Sequence, residues 1–208
     1  GNTRIVRPQL EIGDSPSAFR PACRYEASLP SAILQNNRKI KLPFGNLAGA
    51  PLLDFTEATI WKDSENLYVN IQCDSDLDIH GYGEWKKAKT EFNQLSPEGS
   101  DHYVWYAPDS VTILISPYRD GRNYYRLSLD RKGRRFDAEG VDPAWDGPWQ
   151  SRISETATGW QAEFILPLSM FPRGQKEWRA NFCRENHIRG ENGTWSPTYG
   201  MFHLVGQL

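Results

Sequence analysis

The sequence predicts an all-β protein: two antiparallel sheets packed face to face, joined by long loops, with little helix. Three observations carry this. Many short runs alternate apolar and polar residues with period two. Those runs are rich in Val, Ile, Thr, Tyr and Phe, which suit a pleated, half-buried surface. Convincing helical periodicity is nearly absent from the 208 residues.

Residues 1–20 carry Pro8, Gly13 and Pro16 and read as an irregular N-terminal arm. Short strands are expected over 22–29 and 38–44, then a loop from Gly45 to Pro51. Two clearer strands, 55–62 and 66–74, flank a tight turn at Asp63-Ser64-Glu65. Residues 75–101 form a long irregular stretch, of a length that in a compact domain usually serves function.

A hairpin follows, and it organises the rest. Its first arm is 109–116, with Val111, Ile113 and Ile115 on one face and Thr112, Leu114 and Ser116 on the other. Its second arm is 123–130, with Tyr125, Leu127 and Leu129 against Tyr124, Arg126 and Ser128. Parity sizes the turn, because directly paired residues share a face. A two-residue loop, Asp120-Gly121, would pair Ile115 with Arg126 and bury an arginine in the apolar face. A three-residue loop, Arg119-Asp120-Gly121, pairs Ile113 with Leu127 and Thr112 with Ser128. It also puts Gly121 where positive φ is wanted. The expected sheet has an apolar back and a polar front carrying Thr112, Arg126 and Ser128, with Trp105 at its rim.

Residues 131–149 read as a second excursion, opening on the basic turn Arg131-Lys132-Gly133-Arg134-Arg135. Strands are expected over 150–155, 159–166 and 178–185, with at most one helical turn at 169–171. No repeat, linker or low-complexity segment divides the chain. It is read as one domain over 1–208, an immunoglobulin-like or jelly-roll-like β-sandwich.

Composition narrows the function. Charged residues are 24% and the net charge is −2, so nothing recruits nucleic acid. No apolar run is long enough to span a bilayer. The three cysteines, Cys23, Cys73 and Cys183, allow at most one bridge and leave at least one thiol free. Cys73 continues the Leu67, Val69, Ile71 face and reads as a small buried hydrophobe. Eight Trp and nine Tyr are a surplus over core needs and point to a surface that uses flat rings. Trp160 and Trp178 are in phase with core faces, and Trp61 with the opposite side of its sheet. Trp85, Trp105, Trp145, Trp149 and Trp195 fall in loops. For Arg126 the plain alternative is an ion pair on a solvated face.

The signals in order are 56–63 running into Leu67-Tyr68-Val69, Trp105 before Asp109-Ser110-Val111, and Tyr125-Arg126-Leu127. They continue with Gly159-Trp160 through Pro167, 178–184, and Trp195-Ser196-Pro197 before Phe202-His203. Over roughly 54–208 this order resembles the family 9 carbohydrate-binding modules, within the DOMON-like group of β-sandwiches. The resemblance implies a non-catalytic module in which two tryptophans clamp a terminal sugar. Trp105 and Trp195 match the rings, Arg126 the sheet arginine, and Asn192 the amide three residues before the second ring. Thr112 stands where the family usually has glutamate, and Ser128 where it has asparagine, and both departures remove hydrogen-bonding capacity. The chemistry is coherent: rings stack on the C–H faces of a pyranose, while an Arg fork or an amide meets paired hydroxyls. Trp85 and Trp145 are further candidates for the rim.

The resemblance also implies a secreted, periplasmic or cell-surface bacterial protein working in polysaccharide capture beside degrading enzymes. The chain begins Gly-Asn-Thr, as expected once a signal peptide has been removed. A monomer or weak dimer is expected. No cofactor is required. Asp74, Asp76 and Asp78 alternate after a strand and could hold structural calcium, although the glycine of an EF-hand loop is missing. The four histidines show no metal-ligand spacing, and no nucleophile elbow or phosphate loop is present. Two rival readings are a b-type haem electron-transfer domain using Met170 or Met201, and a structural accessory domain whose sugar site has decayed. Met201 and His203 are two apart on one strand face and cannot ligate opposite sides of one haem.

Overall fold

Alternation along the chain becomes two facing sheets. A computed structural model describes residues 27–28, 38–75, 107, 109–117, 123–140, 142–173 and 178–197. The strands are β1 (Ala27–Ser28), β2 (Ile40–Pro43), β3 (Gly45–Asn46), β4 (Thr56–Lys62), β5 (Asn66–Asp74) and β6 (Asp109–Ser116). They continue with β7 (Tyr125–Asp130), β8 (Arg135–Glu139), β9 (Gln150–Glu155), β10 (Gly159–Pro167), β11 (Arg179–Asn186) and β12 (Glu191–Thr194). The only helix among the described residues is a single 3-10 turn at Leu168–Met170, so none is long and apolar enough to cross a membrane.

One sheet has seven strands in the order β3-β12-β11-β6-β7-β8, with β1 also paired to β11. The other has five, in the order β2-β4-β5-β10-β9. Every pairing is antiparallel. The core lies between the sheets. Ala58, Ile60, Leu67, Val69, Ile71, Cys73, Trp160, Ala162, Phe164 and Leu166 of the smaller sheet meet the larger one. There they face Val111, Ile113, Ile115, Tyr125, Leu127, Leu129, Ala180 and Phe182. Each large aliphatic or aromatic side chain so buried stabilises by about 1.5–3 kcal/mol.

The hairpin register is the one that parity selects: Ile113 pairs with Leu127 and Thr112 with Ser128. The turn itself, 118–122, lies outside the described residues. The tight turn after β4 also forms, with Asp63 Oδ1 accepting the backbone N–H groups of Glu65 and Asn66 at 2.8 and 2.7 Å. Trp61 stacks on Tyr68 on the outer side of the smaller sheet, centroids 5.1 Å apart, with the Lys39 ammonium 4.6 Å above its ring.

Three strands were not expected, and each has a physical reason. The excursion 131–149 contains β8, whose apolar residues, Phe136 and Ala138, point to the outer face rather than the core. Strand β12, Glu-Asn-Gly-Thr, has no apolar residue and is a strand because β11 offers it an edge. The segment read as a loop from Gly45 holds β3, which pairs with β12 across most of the chain length. The larger correction concerns the polar front. All eight residues of β6 and all six of β7 are buried, so the Arg126 face is not solvated.

The loop tryptophans divide. Trp149 is buried and stacks on Phe164, centroids 5.5 Å apart, with its Nε1 donating to Asp137 Oδ2 at 2.6 Å. Trp145 packs on Tyr125 at 5.0 Å. Trp178 packs on Phe171 at 4.7 Å.

Candidate binding face

The outer face of the seven-stranded sheet collects its polar side chains in rows set by register. One row runs Asn192, Glu185, Ser110, Asp130 across β12, β11, β6 and β7. The next runs Thr194, Cys183, Thr112, Ser128 and then Phe136 of β8. A third runs Asn181, Leu114, Arg126, Ala138. Four expected residues, Thr112, Ser128, Arg126 and Asn192, therefore share one face.

Neighbours fix these groups. The Thr112 and Ser128 hydroxyls bond to each other at 2.8 Å. Thr194 Oγ1 and the Ser196 N–H both donate to Asn181 Oδ1 at 3.0 Å, while Asn181 Nδ2 donates to the Ser196 carbonyl at 3.1 Å. The Arg126 guanidinium lies over Phe136, 5.5 Å from its ring centre. Burial lowers the Arg126 pKa, and the Glu185 carboxylate opposes that shift. Burial pushes the Cys183 thiol up to about 12, against the Thr194 hydroxyl. Leu114, Tyr124 and Cys183 form a small apolar cluster on the same side, with Leu47 packed at its edge.

Trp195 does not join this face. Its backbone N–H donates to the Phe182 carbonyl at 2.9 Å, and its half-buried ring meets Phe182, centroids 5.7 Å apart, on the core side. Asn192 and Trp195 thus lie on opposite sides of the sheet. Trp145 also faces the core side, at Tyr125. Trp105, Trp85, Asp76 and Asp78 lie outside the described residues, as do Cys23, Met201 and His203. Asp74, the first carboxylate of the suggested calcium loop, accepts hydrogen bonds from Thr158 and Gln72 at 2.6 and 3.3 Å. Among the described residues no three His, Cys, Asp or Glu groups converge on a metal position. Met170 packs against the core, and His187 lies in the exposed turn after β11. Cys73 and Cys183 are both free.

Sequence reasoning passed over a buried polar centre. Asp109 and Arg184 are in phase with the apolar faces of β6 and β11, and a charge in that phase was the available signal. Arg184 donates to Asp109, and its Nη1 donates to Thr56 Oγ1 at 2.9 Å. Trp160 Nε1 also donates to Asp109 Oδ2, at 2.7 Å.

These elements define the class: a two-sheet antiparallel β-sandwich with a polar, preorganised outer sheet face. No family model matches the sequence, and no curated protein matches it. Among solved structures, the chain is similar to a candidate carbohydrate-binding protein from Bacteroides uniformis ATCC 8492. The TM-score is 0.57 and the identity 15%, over 80% of this chain and 82% of that one. Two structures of a family 9 carbohydrate-binding module from Caldicellulosiruptor kristjanssonii, with cellotriose and with glucose, align at TM-scores of 0.46 and 0.45. Both are 14% identical, over 74% of this chain and 70% of that one for the first, and 72% and 75% for the second. The first likeness is one of fold.

Proposed function

We propose that this chain binds carbohydrate without catalysing its cleavage, as a bacterial capture module that acts outside the cytoplasm beside glycan-degrading enzymes. One observation supports the reading: Arg126 and Asn192, the two hydroxyl partners expected for a sugar, lie on the same side of one sheet, with β11 and β6 between them. The sandwich shared with a candidate carbohydrate-binding protein supports it. In this reading Trp105 supplies the stacking ring, Asn192 and Arg126, three strands apart, meet hydroxyls on different residues of one glycan chain, and Trp195 braces β12 against Phe182 instead of closing a clamp.

Affinity electrophoresis against soluble plant and host polysaccharides tests it. Retardation by one glycan, lost in Trp105→Ala and Asn192→Ala but kept in Trp195→Ala, is the expected result. Loss in a folded Trp195→Ala variant restores the two-ring clamp.

A second reading has its own observation. Thr112 and Ser128 share one hydrogen bond in a buried pair, which uses the proton of one hydroxyl and keeps both side chains from solvent. That suits a structural accessory domain whose sugar site has decayed. Absence of retardation by every glycan, in a protein with a native circular dichroism spectrum, favours it.

A further inference from the structure

A cleft of about 560 Å³ opens at the end of the sandwich where β5 and β7 finish and β9 turns into β10. This size falls in the range of roughly 300–1,000 Å³ usual for small-molecule sites. Its walls are the segment before β4, the end of β5, Arg131 after β7, and the turn from β9 to β10.

The walls are held firmly. The Leu53 and Asp54 N–H groups donate to the Glu191 carboxylate, Leu53 at 3.1 Å to both oxygens. Asp54 accepts from Asn186 Nδ2 at 3.0 Å and from Arg189 Nε at 3.2 Å. The Phe55 carbonyl accepts the Asp74 N–H at 2.8 Å, and the Ser75 N–H donates to the Thr158 carbonyl at 2.8 Å. Gly159 is required where these strands meet, because a Cβ there would stand 2.1 Å from the Cys73 carbonyl oxygen.

On this anchored frame Leu53 is 80% exposed and Phe55 50% exposed, the two large hydrophobic residues left open to solvent among the described residues. Scattered exposed apolar residues need no explanation. Two on one hydrogen-bonded segment, both lining a cleft, are a different matter. Facing them are Asp74, Thr156, Thr158 and the Arg131–Glu155 pair, in which Nε and Nη2 both donate to the carboxylate. Arg131 Nη1 has no hydrogen-bond partner among the described residues.

The charges choose the ligand class. Glu155 is paired with Arg131 and Asp54 with Arg189, so neither charge is open to an ionic ligand, and Asp74 is the one lining carboxylate without an ion pair among the described residues. The carboxylates do not converge on a cation position. What remains is an apolar ledge opposite an array of acceptors and donors. We infer that this cleft binds a neutral polyhydroxylated ligand, one or two sugar residues whose C–H face lies on Phe55 and Leu53. Its hydroxyls donate to Asp74 and Glu155, where hydrogen bonds to charged acceptors are strongest. The inference does not depend on the Arg126 face.

Amide chemical-shift titration of the full chain with cellobiose, xylobiose and mannobiose separates the two sites. Shifts at 53–55 and 156–159 with one disaccharide, and affinity reduced about tenfold in Phe55→Ala, are the expected result. Phe55 is half exposed, so this variant keeps its fold, and Leu53→Ser gives an independent reduction. Shifts confined to 192–194 and to β6 and β7 overturn the cleft and leave the sheet-face reading standing. No shift with any of the three sugars also overturns the cleft.

Discussion

Arg184 and Asp109 form a two-pronged ion pair inside the sandwich. Nε and Nη2 stand 2.8 and 2.7 Å from the two carboxylate oxygens, and both side chains are at most 2% exposed. The pair belongs to β11 and β6, while its other partners, Thr56 and Trp160, belong to β4 and β10. It therefore rivets the two sheets together. Removing one partner strands a buried charge, and Asp109→Ala should destabilise by about 3–5 kcal/mol. Urea unfolding of Asp109→Ala checks this. The double variant Asp109→Leu with Arg184→Met, which buries no charge, should recover much of the loss.

The Thr112–Ser128 pair makes a smaller forecast of the same kind. Thr112→Val leaves the Ser128 hydroxyl buried without its partner and should destabilise by about 1–3 kcal/mol. Adding Ser128→Ala removes the orphan and should bring stability back toward that of the parent. A denaturant double-mutant cycle measures the coupling.

Two thiols should be silent. Burial pushes the Cys73 thiol far above its usual range and Cys183 up to about 12. In a Cys23→Ser variant, a thiol reagent at mildly alkaline pH should label nothing in the native protein. Two equivalents should react after denaturation.

The Arg131–Glu155 pair carries a pH signature. Hydrogen bonding to Arg131 holds the Glu155 carboxyl below its ordinary value of 4.5. A depressed carboxyl stabilises the fold above its unfolded pKa, and this contribution disappears as pH falls through the folded one. The carboxylate is 62% exposed, so the amount is under about 1 kcal/mol. Thermal unfolding should show Glu155→Gln slightly less stable than the parent at neutral pH. The two should converge once the medium is more acidic than the folded pKa.

How much of this was legible varies by residue. The Thr112–Ser128 register was readable because a one-residue slip would have put Arg126 in the core. Strands β5 and β10 were readable because each buries one face and leaves the other partly open. Alternation tells which residues share a side, but not whether the polar side is wet. That is why Arg126 looked solvent-facing on a strand buried on both sides. Strands β8 and β12 were hidden because edge pairing, not core burial, makes them strands. Trp149 does stand in the loop before β9, but its burial was hidden because its stacking partner, Phe164, lies across the fold. The cleft beside Phe55 was invisible because it is assembled from the ends of strands far apart in sequence.

The strand order also bears on how the chain reaches this state. Strand β5 finds its partner β10 only at residue 159, and β6 finds β11 only at residue 179. A growing polypeptide can form the β4–β5 and β6–β7 hairpins early, yet it cannot close either sheet until β10 and β11 have emerged. Such non-local pairing places folding in the slow, millisecond-to-second regime of sandwich proteins. Until then the unpaired rims of β5 and β6 remain open to intermolecular pairing.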